Sequence, residues 1–150
     1  MRETDVLVIG CGTAGLAAAI YLARAGRRVL VLGKSTTPDE SNSRYAQGGI
    51  IYRSDDDTPA DLAADIMAAG AGMCYPPAAS LVASEGPAVV EELLIGLAGV
   101  PFTQDQNGRL HLTAEGGHHK RRILHREDST GRQIVTSLLE YAKTLDPITT

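Results

Sequence analysis

The three glycines of Gly10-Cys11-Gly12-Thr13-Ala14-Gly15 are the residues of this 150-residue chain with the plainest chemical use. In a GxGxxG turn between strand and helix, the first glycine allows the tight turn. The second lets a pyrophosphate approach the backbone, and the third lets helix and strand pack closely. A helix opening there adds unpaired N–H donors and a partial positive charge for the phosphates. The spacing does not separate FAD from NAD, and a ligand-free glycine-rich turn is the plain alternative. Where an acidic residue commonly holds ribose hydroxyls, after the next strand, the chain has Gly33 followed by Lys34. Lys34 is a candidate donor to ribose or phosphate, against the reading of a solvated surface lysine.

A second segment of small and amide residues, Ser41-Asn42-Ser43-Arg44-Tyr45-Ala46-Gln47-Gly48-Gly49-Ile50, could lay backbone N–H groups against phosphate and a flat ring. Asn42, Ser43, Arg44, Tyr45, Ala46, Gln47, Gly48 and Gly49 join Gly10, Cys11, Gly12, Thr13, Ala14, Gly15 and Lys34 as cofactor-binding candidates. A disordered polar loop accounts for Ser41 to Ser43 but poorly for Ala46 to Ile50.

A third block runs Leu112-Thr113-Ala114-Glu115-Gly116-Gly117-His118, followed by Arg121-Arg122-Ile123-Leu124-His125 and Asp128-Ser129-Thr130-Gly131. An ionised Glu115 would repel a dicarboxylate that carries no cation and attract one that carries an ammonium. His111, His118, His119 and His125 match no common zinc spacing and have no cysteine among them, so no metal is expected. Lys120-Arg121-Arg122 could attract a dicarboxylate, but a plain charge run is more often a solvated face.

The elements that position these residues follow from periodicity. Asp5 to Ile9 and Arg28 to Leu32 are short β-branched runs that read as strands buried on both faces. Between them Leu16, Ala19, Ile20 and Ala23 recur at helical spacing, with Gly26 as the stop. The result is a β-α-β unit with a right-handed crossover, the start of a doubly wound α/β sheet. Thr58-Pro59-Ala60-Asp61 is a helix start that turns Leu62 and Ile66 inward. Two separate helical segments are expected around Ala79 to Ala83 and from Pro87 to Leu97, the latter with Val89, Val90, Leu93, Leu94 and Leu97 as its apolar stripe. Asn107-Gly108 marks a hairpin, and Arg122 to His125 a short strand. Asp128 or Ser129 caps a last helix carrying Ile134, Leu138, Leu139 and Ala142. A further strand starts near Ile148.

Fourteen basic and 18 acidic residues leave a net charge of -4 with no sustained basic stripe, which argues against nucleic acid as the main partner. No apolar run approaches the roughly 18 residues that span a bilayer. A soluble, cytoplasmic protein with no membrane partner is expected. Cys11 and Cys74 are read as small buried residues, without a disulfide or thiolate metal site.

The three blocks, in this order, resemble the succinate dehydrogenase and fumarate reductase flavoprotein superfamily, and the third resembles its aspartate oxidase branch. The resemblance covers Asp5 to Leu139. It implies a Rossmann-like FAD-binding fold and oxidation of L-aspartate to iminoaspartate, the first step of de novo NAD biosynthesis, with fumarate or oxygen as oxidant. The covalently flavinylated relatives have a histidine where this chain has Asn42, so the resemblance implies non-covalent FAD. By the same resemblance Glu115 orients the substrate amine, His118 belongs to the substrate loop, and one of Arg121 and Arg122 is an anion ligand. Association with the next enzyme of NAD biosynthesis is a further expectation. His119 departs from the family's usual serine.

Family members are several times longer, so residues 1-150 are expected to form the N-terminal portion of a discontinuous FAD-binding domain. The capping domain and C-terminal parts lie elsewhere, and the fragment alone is expected to be inactive. Two alternatives remain open at this point: a succinate dehydrogenase or fumarate reductase type of flavoprotein, and a non-catalytic nucleotide-binding Rossmann fragment.

Overall fold

The computed structural model describes residues 3–149. Strand β1 (Val6–Ile9) leads through the glycine turn into helix α1 (Thr13–Arg24), and β2 (Val29–Leu32) returns parallel to β1 with Val6 opposite Val29. A last strand, β6 (Ile148–Thr149), pairs parallel to the other side of β2, giving the order β1-β2-β6. Numbered by succession within this sheet, that is the 3-2-1 half of a doubly wound fold, with the first strand at an edge.

Three shorter strands form a second, antiparallel sheet: β3 (Ile50–Ile51), β4 (Leu112–Thr113) and β5 (Ile123–Leu124), in the order β3-β5-β4. Helix α2 (Pro59–Ala69) starts with a reciprocal capping box between Thr58 and Asp61, as the sequence predicts. Helix α4 (Thr130–Lys143) carries the broadest buried face, including Ile134, Val135, Leu138, Leu139 and Ala142.

Helix α1 joins the two packing zones. Ala19 and Ala23 lie against Val29 and Val31 of the parallel sheet. Leu16 and Ile20 belong to the larger core with α4, Leu93, Leu94, Phe102 and Leu124. Burying a leucine- or isoleucine-sized side chain this way stabilises the fold by about 1.5–3 kcal/mol each.

Four expectations are corrected. β1 and β2 are not buried on both faces: Leu7, Leu32 and above all Ile9, which is 82% exposed, lie open, because α1 covers only one side of the sheet. The two helical segments expected between Ala79 and Leu97 are continuous, helix α3 (Pro76–Val89) running on into a π-helical stretch (Val90–Leu97) with Pro87 inside. Proline removes a backbone donor at that point, and the wider turns that follow shift the apolar periodicity, so Val89 turns outward while Val90, Leu93 and Leu94 stay buried. No side chain of Asp128 or Ser129 caps α4. Thr130 Oγ1 instead accepts the Arg126 N–H at 2.9 Å. Cys11 is buried, but Cys74 is only partly so, its thiol 3.3 Å from the Ile66 carbonyl oxygen.

Candidate functional site

The glycine turn lies between β1 and α1, where the pattern places it. Gly10 adopts φ +114°, a region other residues rarely enter, and its N–H donates to the Leu32 carbonyl at 2.8 Å. A Cβ at Gly15 would run into the Gly10 carbonyl, so the third glycine lets helix and turn touch. Gly12 is the residue preceding α1, with extended backbone, and neither a side-chain cap nor an acidic residue occupies the first turn. The opening amides of α1 are therefore available to an anion, apart from Thr13 N–H, which donates to Ser43 Oγ at 3.3 Å.

That contact draws the second segment to the first. Ile9, Gly10, Cys11, Gly12, Leu32, Gly33, Lys34, Glu40, Ser41, Asn42 and Ser43 line one cleft of about 490 Å³. The segment Asn42–Tyr45 is a single 3-10 turn, capped by Ser41, whose hydroxyl accepts the Arg44 N–H. It is fastened from below by α4: the Gly131 N–H donates to the Ala46 carbonyl at 2.9 Å, and a Cβ at Gly131 would collide with the Ser43 and Ala46 carbonyls.

The segment then changes neighbours. Arg44, Tyr45 and Gln47 line a separate pocket with Asp128, Ser129 and Arg132, so Gln47 is not in the cleft of Gly12. Arg44 is ion-paired with Asp39, and Tyr45 donates its hydroxyl to Glu40 at 2.8 Å. Gly48 faces the third block, where an added Cβ would lie 3.0 Å from Glu115 Oε1. Gly49 is pressed against Ile123 and the Leu124 carbonyl, which fixes the end of the segment on the second sheet.

Glu115 is exposed, and its side chain makes no hydrogen bond or ion pair among the described residues. Its backbone carbonyl accepts the His118 N–H at 3.1 Å, closing the Glu115-Gly116-Gly117-His118 turn. His119 is held from below by α2. Asp65 Oδ2 accepts the His119 backbone N–H at 3.0 Å, and Asp65 Oδ1 is paired with His119 Nδ1.

Here the reading of Lys120-Arg121-Arg122 as a solvated run is corrected. Lys120 bonds Asp61 Oδ2 at 3.1 Å, and Arg122 is 0% exposed. Its Nη1 donates to Asp65 Oδ2 at 2.5 Å and its Nη2 to Asp57 Oδ1 at 2.8 Å. Nε lies 2.7 Å from Asp57 Oδ2 without hydrogen-bond alignment, a charge contact only. Burial pushes the Asp65 carboxyl up, but hydrogen bonds from His119 and Arg122 outweigh it and hold the group well below the ordinary carboxylate range. Arg122 is thus consumed inside the protein rather than offered to a ligand, and Arg121 donates its Nε–H to the Leu112 carbonyl at 3.2 Å.

His111 and His125 share a hydrogen bond, Nδ1 to Nε2 at 2.9 Å, joining the hairpin to the end of β5. Among the described residues no group of three metal-ligating side chains forms. The sequence reading missed two residues. Glu40 reaches the cleft beside Gly12 from the far end of the polar loop, where no strand end marks it. Asp65 is buried within α2, and only its arginine partner explains it.

The arrangement fits a dinucleotide. The first glycine loop and the amides of α1 suit a pyrophosphate, Gly12 is placed where a Cβ would press on Ser43 Oγ at 3.2 Å, and the cleft continues past Gly33 and Lys34. Residues 5–150 match the FAD binding domain family. Among curated relatives, L-aspartate oxidase 1 of Ralstonia nicotianae is 45% identical over 148 residues, 97% of this chain and 27% of its own length. L-aspartate oxidase of Mycobacterium tuberculosis is 43% identical over 145 residues, 95% of this chain and 27% of its own. The chain thus spans about a quarter of the length of these relatives.

Among solved structures, E. coli quinol fumarate reductase FrdA superposes with a TM-score of 0.89 at 24% identity, covering 99% of this chain and 25% of that one, a likeness of fold. Mycobacterium smegmatis Sdh1 gives 0.84 at 31% identity, covering 93% and 24%. The strand order, the glycine turn with its open helix amides and the match over residues 5–150 agree: the chain belongs to the FAD-binding domain family, and FAD is its cofactor.

Proposed function

We propose that these 150 residues are the N-terminal part of the FAD-binding domain of a longer polypeptide that oxidises L-aspartate to iminoaspartate. The observation that carries the reading is Glu115, an exposed carboxylate without a protein cation, set against Gly48 at the end of the second glycine segment. Similarity to curated L-aspartate oxidases supports it.

When bound, FAD supplies a two-electron acceptor. The chain's own residues then have distinct tasks. Gly10 to Gly15 and the α1 amides hold the pyrophosphate. Lys34 and Ser41 to Ser43 line the way toward the nucleoside end. Ala46 to Gly49 present backbone rather than side chains to the ring. Glu115 pairs with the substrate ammonium and so places the Cα–H bond for hydride loss, the amine giving up a proton as the imine forms. Succinate and fumarate lack that ammonium, and Glu115 would repel them. Asn42 in place of a histidine supports FAD held without a covalent bond, and fumarate or oxygen serves as the final oxidant.

The bare side of the parallel sheet supports the domain assignment. Leu7, Ile9 and Leu32 are exposed on one sheet whose edge strand β1 has an unpaired side among the described residues. Later parts of the polypeptide would cover that face, add a strand beside β1 and supply the cap. In this reading the protein works in the cytoplasm and passes its product to the next enzyme of NAD biosynthesis.

The test is initial rates on the FAD-loaded longer protein with aspartate and with succinate, alongside release of flavin by denaturation. Aspartate-dependent peroxide formation or fumarate reduction, with flavin released intact, supports the reading. Succinate oxidation without aspartate oxidation overturns it, as does flavin that stays on the denatured chain for the attachment mode. The 150-residue chain alone should form no peroxide from aspartate.

A further inference from the structure

Arg122 is more than a buried structural cation. Its Nη1 lies 3.2 Å from His118 Nδ1, one turn of chain away, while Asp57 and Asp65 hold the guanidinium from two sides. A guanidinium has N–H donors and no acceptor, so the nitrogen facing it must present a lone pair. The ring proton of His118 then belongs on Nε2.

The competing group is Asp65, whose Oδ2 stands 3.9 Å from the same nitrogen and would favour a proton there. Its oxygens are already occupied, Oδ2 by Arg122 Nη1 and the His119 N–H, Oδ1 by His119 Nδ1. At 3.9 Å no hydrogen bond forms, whereas 3.2 Å to Arg122 is within reach. Turning the ring over would put a carbon against the guanidinium and forfeit the bond.

We propose that Arg122 is a positioning residue that fixes His118 as the Nε2–H tautomer and thereby makes it a hydrogen-bond donor to an anionic group of the ligand. The His118 side chain keeps 15% exposure. Nε2 has no hydrogen-bond partner among the described residues and is not among the buried unpartnered atoms, so it reaches the surface. Three residues before it, Glu115 supplies a negative charge. A donor and a carboxylate on one short turn suit a zwitterion: the imidazole N–H for a carboxylate, Glu115 for an ammonium. This last step rests on the proposed oxidation of an amino acid, but the tautomer does not.

The two are separable by experiment. Long-range proton–nitrogen correlation spectra of the FAD-loaded chain labelled with 15N-histidine, at pH 8 and assigned with His118→Gln, report which ring nitrogen of His118 carries the proton. The expected result is Nε2 protonated and Nδ1 bare, with Arg122→Met converting the signal to a mixture of tautomers. An Nδ1–H ring in the unsubstituted chain overturns the proposal whether or not aspartate is a substrate, and it does so even if Arg122→Met does not fold. An Nε2–H ring that persists unchanged in a folded Arg122→Met also overturns it. In the longer protein, His118→Phe, which keeps a ring but has no donor, should raise KM for aspartate about tenfold, about 1.4 kcal/mol of lost binding, with a smaller change in kcat. Unchanged KM would sink the donor role while leaving the tautomer standing.

Discussion

The Thr13 backbone N–H donates to Ser43 Oγ across 3.3 Å, tying the first turn of α1 to a loop residue thirty positions later. Gly12 sits beneath that contact, where a Cβ would lie 3.2 Å from the same oxygen and 3.8 Å from Ser41 Cβ. The cleft's two walls are therefore held apart by the width of one missing side chain.

Substituting Gly12→Val should close that gap and push the walls apart. FAD content of the purified protein, read as flavin absorbance against protein, should fall at least tenfold, while far-ultraviolet circular dichroism stays native. Ser43→Ala removes only one neutral hydrogen bond, a loss of about 0.5–1.5 kcal/mol. It should weaken FAD by a small factor. Equal effects of the two substitutions would contradict the steric account.

Gly131 makes the corresponding test from the other side of the loop. Its N–H donates to the Ala46 carbonyl at 2.9 Å, and a methyl there would meet two carbonyl oxygens that cannot move without unseating the 3-10 turn. Gly131→Ala should destabilise the fold by about 1–3 kcal/mol, the usual range for overpacking. Urea denaturation measures it, and the FAD affinity of the surviving native protein should drop as well. A variant as stable as the parent would mean that α4 does not fasten the loop.

How much of this was legible in the sequence divides by range. The β1-turn-α1 unit is local, and its apolar spacing and glycines predict it to within a residue or so. The same local rules place the Thr58–Asp61 capping box and the turn at Asn107-Gly108. The open second face of β1 was not legible, because a β-branched run looks the same whether or not that face is covered. Nor could spacing reveal that Arg122 is buried: a Lys-Arg-Arg run looks solvated until Asp57 and Asp65 are brought from more than fifty positions away. For the candidate site, the three blocks are visible, but the partition of Ser41 to Gly49 among three neighbours depends on α4 and the second sheet.

The carboxylates beneath the third block set the acid limit of the fold. Asp65 is held well below the ordinary range because hydrogen bonds from His119 and Arg122 outweigh its burial. Asp5, hydrogen-bonded by the Arg28 side chain and backbone, is brought down to about 2. A folded pKa below the unfolded value of about 3.9 means stability that is complete above that value and is lost as pH falls through the folded one. Denaturation free energy should therefore be flat with respect to these groups above about pH 4 and fall steeply toward pH 2. Asp65→Asn should cost about 3–5 kcal/mol near neutrality by leaving Arg122 buried and half-paired, and should flatten the acid slope. A parallel, undiminished acid slope in that variant would mean that Asp65 is not among the groups responsible.

Glu115 and Gly48 allow substrate recognition to be separated from cofactor binding. In the longer protein, Glu115→Gln keeps the shape of the side chain but removes the charge proposed to meet an ammonium. A charge-assisted hydrogen bond is worth about 1.5–3 kcal/mol, so kcat/KM for aspartate should fall by roughly 10- to 150-fold. Succinate, freed of the repulsion, should inhibit more strongly than in the parent. Gly48→Ala reaches the same carboxylate by steric means, since its methyl would stand 3.0 Å from Glu115 Oε1 and 3.3 Å from Oε2 and must push the side chain aside. The alanine variant should retain FAD at near-parental content yet show a raised KM for aspartate, and combining it with Glu115→Gln should add little, because both act on one contact. Full additivity in that double variant would show that Gly48 does not act through Glu115.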